Sequence, residues 1–269
     1  MVEGWFGNKV ISSSKDLTLE ISPAIKSIIT EQIAINRTAY LVLKEGEEKP
    51  VIVGSKTEGA FLLLIKDWGT IMDAPVDSTA NSRNFPFDSA KKRSTAITAL
   101  PSGKIRLYCK GASEAVLKDC TMFLESDGVT KSVLTDDVRS KLEDHIRNMN
   151  NRALRTLCLA HKDYDDWKNL PVNWENEPPD NFDLILDCFV GIEDPIRGDV
   201  RQAVATAQRA GITVRMVTGD NIETARAIAK QCGILTEDGI SMIGSDFRKM
   251  KPSGLLNQSH SYIYYYNSV

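Results

Sequence analysis

The sequence predicts an α/β protein, on three observations. Residues 106–110 alternate polar and apolar side chains, the period of a half-buried strand, and a helical pattern follows them. Apolar residues recur at helical spacing after Ser22-Pro23, where a capping serine precedes a proline suited to the first helical position, and again after Thr135. From Leu184 to Gly233 the pattern runs strand, helix, strand, turn, helix, which is typical of a βαβ-like unit of a parallel sheet.

Composition limits the classes of function. With 269 residues, 42% hydrophobic and 26% charged, the chain has the make-up of a soluble globular protein of one large or two ordinary domains. A net charge of −3 with no evident basic face argues against nucleic acid as a partner. The five cysteines have no metal-ligand spacing and are expected to be reduced core thiols. No secretory signal is evident, and no apolar run approaches the ~20 residues that span a bilayer.

Residues 54–60 contain two glycines at the spacing of a phosphate-binding P-loop. Ala60 and Phe61 stand where that loop needs a lysine and a hydroxyl, so the sequence excludes a P-loop here. Thr57 and Glu58 are predicted instead to form the first turn of a helix, which continues through apolar residues at helical spacing.

An aromatic side chain lies close to a run of cations. Phe87 precedes Lys91-Lys92-Arg93, and this combination suits a nucleotide, with the base on the ring and the phosphates on the cations. The alternative is a hairpin with a solvated basic turn, because 95–100 and 104–109 are strand-like and flank the turn residues 101–103. Both interpretations remain open on these residues alone.

Three further positions suit phosphate or a purine. Lys110 ends a predicted strand, and Gly111 is expected to allow a sharp turn; a surface lysine beside a loop glycine is the alternative. Arg155 lies near the start of a second predicted strand and can meet a carboxylate or a phosphate. Thr218 and Asp220 follow the predicted strand 212–217, where a hydroxyl, an amide and a helix N-terminus can hold a phosphate oxygen, although Asp220 or Asn221 can equally cap the helix.

Two long segments carry a family resemblance. Residues 191–197 (Gly-Ile-Glu-Asp-Pro-Ile-Arg) and 210–234, which include Thr-Gly-Asp-Asn, resemble P-type cation-transporting ATPases, in particular calcium pumps of the plasma-membrane, autoinhibited kind. The earlier motifs fall in the same order as in that family. The resemblance implies a nucleotide-binding domain (1–188), with a twisted antiparallel sheet and flanking helices. It also implies part of a haloacid-dehalogenase-like parallel α/β phosphorylation domain (189–250). A divergent tail (251–269), rich in Ser, Tyr and Asn, is expected to be disordered.

The resemblance also implies roles for individual residues. An ATP pocket, with Phe87 stacked on adenine, is expected from Thr57, Glu58, Phe87, Lys92, Lys110 and Gly111, and Arg155 is expected to reach an ATP phosphate. The hinge is expected at Asp194 and Arg197, and the loop around the transferred phosphoryl group at Thr218, Gly219 and Asp220.

Two motifs of the family do not occur in this sequence: Asp-Lys-Thr-Gly-Thr, which holds the phosphorylated aspartate, and the magnesium loop Gly-Asp-Gly-x-Asn-Asp. No catalytic residue and no metal ligand is therefore expected here, and the resemblance implies ATP binding without a complete cycle. ATP, Mg²⁺ carried with ATP, and the remainder of a multi-pass membrane pump are the expected cofactors and partners. The segment is expected on the cytosolic side of the membrane, and to be soluble if expressed alone. The alternatives are a stand-alone nucleotide-binding module and a pump for H⁺ or Na⁺.

Overall fold

The computed structural model describes residues 3–12, 20–43, 50–74, 82–171, 173–179, 183–193, 196–237, 239–249 and 262–265. The chain divides into two compact units, of which the first comprises Met1–Glu143 with Thr156–Ile192 and the second Asp144–Arg155 with Glu193–Val269. No helix within the described ranges combines the length and the apolar character needed to cross a membrane. The predicted domain boundaries at 188 and 250 stay predictions.

Eleven of the strands in the described ranges precede residue 194, and most of them form one sheet. The bounds are β1 (Glu3–Phe6), β2 (Lys9–Ile11), β3 (Tyr40–Val42), β4 (Val51–Val53), β5 (Ser82–Asp88), β6 (Arg93–Ala99), β7 (Ile105–Ala112), β8 (Cys120–Leu124), β9 (Lys131–Val133), β10 (Leu154–Tyr164) and β11 (Leu184–Glu193). Nine of them form a sheet in the order β2-β1-β11-β10-β7-β6-β5, with β8 on β11 and β9 on β8, while β3 and β4 pair separately.

Within the described ranges, four α-helices accompany these strands: α1 (Pro23–Ile35), α2 (Lys56–Asp67), α3 (Ser113–Lys118) and α4 (Asp136–Asn151). A 3₁₀ turn spans Trp167–Asn169. The predicted start of α1 is confirmed, because the Ser22 hydroxyl accepts a hydrogen bond from the Ile25 amide and proline occupies the first turn. Glu58 lies in the first turn of α2, as predicted.

The two longest helices of the N-terminal half cover the sheet. Their apolar faces contact the inner strands β1, β10 and β11, and the cluster includes Phe6, Ile25, Ile29, Ile33, Phe61, Leu62, Ile65, Leu159, Cys188 and Val190. Burial of this apolar surface stabilises the unit and fixes where the ends of α1 and α2 lie on the sheet.

The antiparallel strands β5, β6 and β7 form the part of the sheet that carries the site. Ser94 lies opposite Lys110 and Arg93 opposite Gly111, which confirms the predicted hairpin around residues 101–103. The expectation of a turn at Gly111 is wrong, because β7 continues through Gly111 to Ala112 before α3 begins. The local sequence shows only that a glycine can adopt many backbone conformations. The neighbouring strand determines why a glycine is required at this position.

The second unit contains a three-stranded parallel sheet in the order β12-β14-β13, formed by β12 (Met216–Thr218), β13 (Ile240–Ile243) and β14 (Tyr262–Tyr265). The same unit contains the helices α5 (Val200–Arg209), α6 (Ile222–Cys232) and α7 (Gly244–Lys249). Gly233 ends α6 in the left-handed conformation with φ 77°, as its position predicts. The strand predicted over 212–217 is shorter than expected and begins at Met216.

One further expectation changes in the C-terminal part, and a short stretch of the predicted tail forms a strand. The βαβ-like unit predicted from Leu184 does not form in one sheet, because β11 pairs in the nine-stranded sheet and β12 in the three-stranded one. A continuous apolar run predicts a buried strand but does not specify its partner. The tail predicted to be disordered contributes β14 at 262–265, which pairs with both β12 and β13; its other residues lie outside the described ranges.

Candidate functional site

The C-terminal end of β5, just before the turn into β6, exposes an aromatic ring. Phe87 is 61% exposed, an uncommon state for a phenylalanine. The Asp88 carboxylate accepts hydrogen bonds from the amides of Ala90 (2.7 Å) and Lys91 (3.1 Å). The amides of Lys91 and Ala90 hold the pKa of Asp88 below its usual value. Lys92 then adopts the left-handed conformation with φ 53°, which returns the chain into β6.

Lys110 is a buried cation rather than the surface lysine of the alternative interpretation. It lies on β7 and is only 7% exposed. Its Nζ donates to the carbonyl oxygen of Asn36 at 2.5 Å and to Oε1 of Glu58 at 2.7 Å. Burial lowers the pKa of Lys110, while the charge and hydrogen bond of Glu58 act in the opposite direction.

Glu58 is held by four protein donors. Its Oε1 accepts from Lys110, and its Oε2 accepts from the Thr38 amide (2.8 Å), the Thr38 hydroxyl (2.9 Å) and the Ala39 amide (2.9 Å). Burial by itself raises the pKa of Glu58, but the charge of Lys110 and these hydrogen bonds outweigh it, so the pKa lies below its usual value. The carboxylate ties the start of α2 to the residues that follow α1.

The C-terminal end of α1 completes this cluster. Asn36 is the C-cap of the helix, and its carbonyl is among those that a helix end leaves without an intrahelical partner. A cation at this end also benefits from the helix dipole, which favours the ammonium of Lys110. Arg37 donates to the carbonyls of Ala39 and Ala74, both at 2.8 Å, and so fixes the turn that presents Thr38.

Gly111 allows β6 and β7 to approach closely. A Cβ atom built on Gly111 would lie 2.4 Å from the carbonyl oxygen of Lys92 and 2.8 Å from the Cα of Arg93. The Ala112 amide donates to the same Lys92 carbonyl at 3.0 Å. The residue therefore has to lack a side chain in order to keep Lys92 against β7.

The second unit gathers three of the predicted residues. The Arg155 guanidinium donates to the Asp220 carboxylate at 2.5 Å, and the Thr218 hydroxyl contacts the same carboxylate at 3.2 Å. The side chain that caps α6 is Asn221, whose Oδ1 accepts from the Thr224 amide. Asp220 is thus directed toward Arg155. This contact confirms the alternative in which Arg155 pairs with a carboxylate.

Comparison with known proteins decides the family. The family model described as "P-type ATPase, cytoplasmic domain N" matches residues 24–199. The chain belongs to the P-type ATPases.

Relatives agree with this assignment. Calcium-transporting ATPase 4, plasma membrane-type, of Arabidopsis thaliana is 41% identical over 244 residues, which cover 89% of this chain and 22% of that protein. Calcium-transporting ATPase 10, plasma membrane-type, of Oryza sativa subsp. japonica is 39% identical over 91% of this chain and 23% of its own. Calcium-transporting ATPase PAT1 of Dictyostelium discoideum is 38% identical over 87% of this chain and 20% of its own. The chain thus spans about a fifth of the length of these relatives.

Within this P-type ATPase chain, nine of the twelve predicted residues fall into two groups. Four lie on or between the adjacent strands β5, β6 and β7: Phe87, Lys92, Lys110 and Gly111. Glu58 joins them through Lys110, and Thr57 lies beside it, half-buried, in the first turn of α2. Arg155, Thr218 and Asp220 form the second group, Gly219 and Arg197 are exposed, and Asp194 lies outside the described residues.

The sequence analysis missed three residues that contact Lys110 or Glu58, namely Asn36, Thr38 and Ala39. The carbonyl of Asn36 and the amide and hydroxyl of Thr38 follow a helix whose apolar pattern ends at Ile35. Polar residues at such a position predict a turn, and an asparagine there suggests a helix end. Neither signal indicates that the turn lies against a lysine 74 positions later.

Among the residues that the structure describes, no three or more His, Cys, Asp or Glu side chains are grouped so that they could hold a metal ion. Magnesium is expected as a companion of the nucleotide phosphates.

Proposed function

We propose that this chain is the ATP-binding part of a calcium-transporting P-type ATPase. The proposal rests mainly on one observation. The exposed ring of Phe87 lies on β5, and the buried ammonium of Lys110 lies on β7, two strands away in the same sheet. Neighbouring strands are ~4.8 Å apart, so β5 and β7 are separated by about 10 Å, a distance that one nucleotide can bridge.

Each residue in this group supplies a different interaction. Phe87 offers an exposed face on which adenine can stack, which is worth ~1–3 kcal/mol for a base on an aromatic side chain. Lys92 and Lys110 supply positive charge, and Gly111, which has no side chain, allows the Lys92 carbonyl to lie directly against β7. The same assignment is implied by the family resemblance, with Thr57 and Glu58 in the pocket wall.

Calcium as the transported ion rests on the relatives' names alone. We further propose the plasma membrane as the location of the complete pump, with this segment on its cytosolic side. The remaining part of such a pump is then the partner of this chain. The roles of Arg155 at an ATP phosphate, of Asp194 and Arg197 at the hinge, and of Thr218, Gly219 and Asp220 at the phosphoryl group stay predictions.

Calorimetric titration of the purified chain with ATP and Mg²⁺ tests the binding proposal. Wild type is expected to bind weakly, and Phe87→Ala is expected to lose a factor of about 5 to 150 in affinity, which corresponds to the loss of base stacking. Lys110→Ala is expected to lose affinity as well. Val133→Ala is the matched control, because it truncates an equally exposed apolar residue on β9. Equal affinities of wild type, Phe87→Ala and Lys110→Ala for ATP would contradict the proposed pocket.

An immunoblot of fractionated native cells separates the pump from the stand-alone alternative. An antibody raised against residues 22–233 is expected to detect a band several times larger than 29.8 kDa in the membrane fraction. A soluble band at the mass of this chain alone would favour the stand-alone nucleotide-binding module.

A further inference from the structure

We infer that Arg37 is a positioning residue for the nucleotide site, and that it acts on a bound nucleotide only through Glu58. Arg37 lies in the turn between α1, which ends at Ile35, and β3, which begins at Tyr40. The inference rests on the proposed nucleotide binding, because it concerns the same cluster around Lys110.

Arg37 is a buried cation that the protein binds through backbone carbonyls. It is only 7% exposed. Its Nη1 donates to the carbonyl oxygens of Ala39 and Ala74, both at 2.8 Å, while its Nε has no hydrogen-bond partner among the described residues. Burial lowers the pKa of Arg37, and the charges of Glu58 and Asp73 act in the opposite direction. Because burying a guanidinium is costly, the neighbours that use its donors and its charge indicate its role.

The turn that Arg37 holds is the one that binds Glu58. The carbonyl of Ala39 accepts from Arg37, and the amide of the same residue donates to Oε2 of Glu58 at 2.9 Å. Thr38, between them, donates its amide and its hydroxyl to the same Oε2, at 2.8 and 2.9 Å. Three of the four donors that Glu58 has within the described residues therefore come from a turn that Arg37 fixes.

The other end of this bridge is also anchored. Ala74 follows α2, the helix that carries Glu58 in its first turn. In the same segment the carbonyl of Met72 accepts a hydrogen bond from the amide of Leu41 on β3 at 2.8 Å. Arg37 thus connects the residues after α1 to a segment after α2 that is itself attached to β3. Loss of the guanidinium is expected to release the turn from that segment.

Charge and geometry act in the same direction at Glu58. A nearby cation and hydrogen bonds donated to a carboxylate both favour its ionised form. An ionised, fixed Glu58 keeps Oε1 directed at Lys110, whose ammonium also donates to the carbonyl of Asn36. Within the described residues, Oε1 then keeps one acceptor site and the ammonium one N–H donor for a ligand. Groups that are oriented before the ligand arrives bind it at a lower cost in entropy.

Three substitutions in the full chain test the inference, each with two measurements. Calorimetric titration with ATP and Mg²⁺ gives the affinity, and NMR titration of the carboxyl carbon gives the pKa of Glu58. Arg37→Met removes the charge and the donors. It is expected to weaken ATP binding about threefold to tenfold and to raise the pKa of Glu58. Arg37→Lys is expected to keep most of both properties, because both hydrogen bonds start from one nitrogen, which an ammonium can replace.

Arg139 provides the matched control. Its guanidinium, on α4, also donates to two backbone carbonyls, those of Leu117 and Cys120, both at 2.5 Å. Arg139→Met is therefore expected to lower stability in the same way and to leave both the ATP affinity and the pKa of Glu58 unchanged. If Arg37→Met does not fold, Arg37→Gln replaces it, since its shorter, uncharged side chain cannot supply the charge and both bonds.

Three results would overturn the inference. An ATP affinity of Arg37→Met equal to that of wild type would show that Arg37 does not position the site. An unchanged pKa of Glu58 would show that Arg37 does not act through Glu58. Equal losses of affinity in Arg37→Met and Arg139→Met would show general destabilisation. If wild type does not bind ATP, the proposed function fails instead, and the pKa of Glu58 still decides whether Arg37 positions this carboxylate.

Discussion

Lys110 shows how burial changes the use of a lysine. On a surface its ammonium is a mobile, strongly hydrated point charge. Here the side chain is enclosed, and the ammonium is held by a carboxylate from α2 and a carbonyl at the end of α1. Removing one partner from such a buried pair costs much more than removing an exposed one, because a charge is left without compensation. The cluster is therefore a structural constraint, and it is also the place where we propose that nucleotide binds.

Gly111 gives a prediction at the scale of one residue. Gly111→Ala is expected to lower the free energy of unfolding by about 1–3 kcal/mol, because its Cβ would overlap the Lys92 carbonyl. Nucleotide affinity is expected to fall too, since Lys92 has to move. Urea denaturation checks the stability. Gly219→Ala is the control, because a Cβ there meets nothing within 4 Å. A stability of Gly111→Ala equal to that of the control would contradict the proposed close approach.

At the scale of elements, the packing of α1 and α2 in the core fixes the positions of the site residues at their ends. Their apolar faces are packed on the sheet, and their ends carry Asn36 and Glu58. The packing holds the helix ends in register with β7, so that loss of apolar contacts in the core is transmitted to the cluster around Lys110.

Adjacent leucines of α2 provide the test. Leu62 is 0% exposed and Leu63 is 37% exposed. Leu62→Ala is expected to destabilise the chain by about 2–5 kcal/mol through lost burial and a cavity, and Leu63→Ala by clearly less. Urea denaturation followed by circular dichroism measures both. Similar losses for the two variants would contradict the observed orientation of α2.

At the scale of the whole molecule, two partly buried carboxylates, Glu58 and Asp163, connect stability to pH. The pKa of Glu58 lies below its usual value, as described above. For Asp163, burial raises the pKa, but hydrogen bonds and charge from Arg106 outweigh this effect, so its pKa is also lowered. A carboxylate with a lowered folded-state pKa contributes stability above its unfolded pKa of about 4, and this contribution is lost as pH falls through the folded-state value.

Acidification is therefore expected to destabilise the chain from about pH 5 downward. Asp163→Asn and Glu58→Gln are each expected to lower stability at pH 7 and to flatten its dependence on pH, because the amide does not titrate. Denaturation midpoints at a series of pH values measure the effect, and Asp137→Asn, on the exposed face of α4, serves as the control. A pH dependence of stability in both Asp163→Asn and Glu58→Gln as steep as in wild type would contradict the assignment.

The amount that sequence could predict differs between elements and contacts. Apolar period and capping chemistry predicted α1, α2, α4 and α6 and the hairpin of β6 with β7, because these features depend on near neighbours. The predictions of a turn at Gly111 and of a βαβ-like unit were wrong, because each feature depends on which strand lies alongside. Whether Lys110 was buried or exposed was likewise left open by its own segment.

By itself, the sequence determined the α/β class, the helices, the resemblance to P-type ATPases and the list of candidate residues. The tertiary structure decided which of those residues meet. Lys110 lies 52 positions from Glu58 and 74 from Asn36, and Arg155 lies 65 from Asp220. Contacts at such separations depend on strand order and on how helices pack, whereas local periodicity reflects only the surroundings of each segment. The sequence could therefore identify Lys110 and Glu58 as candidate residues, but only the fold shows that they are in contact.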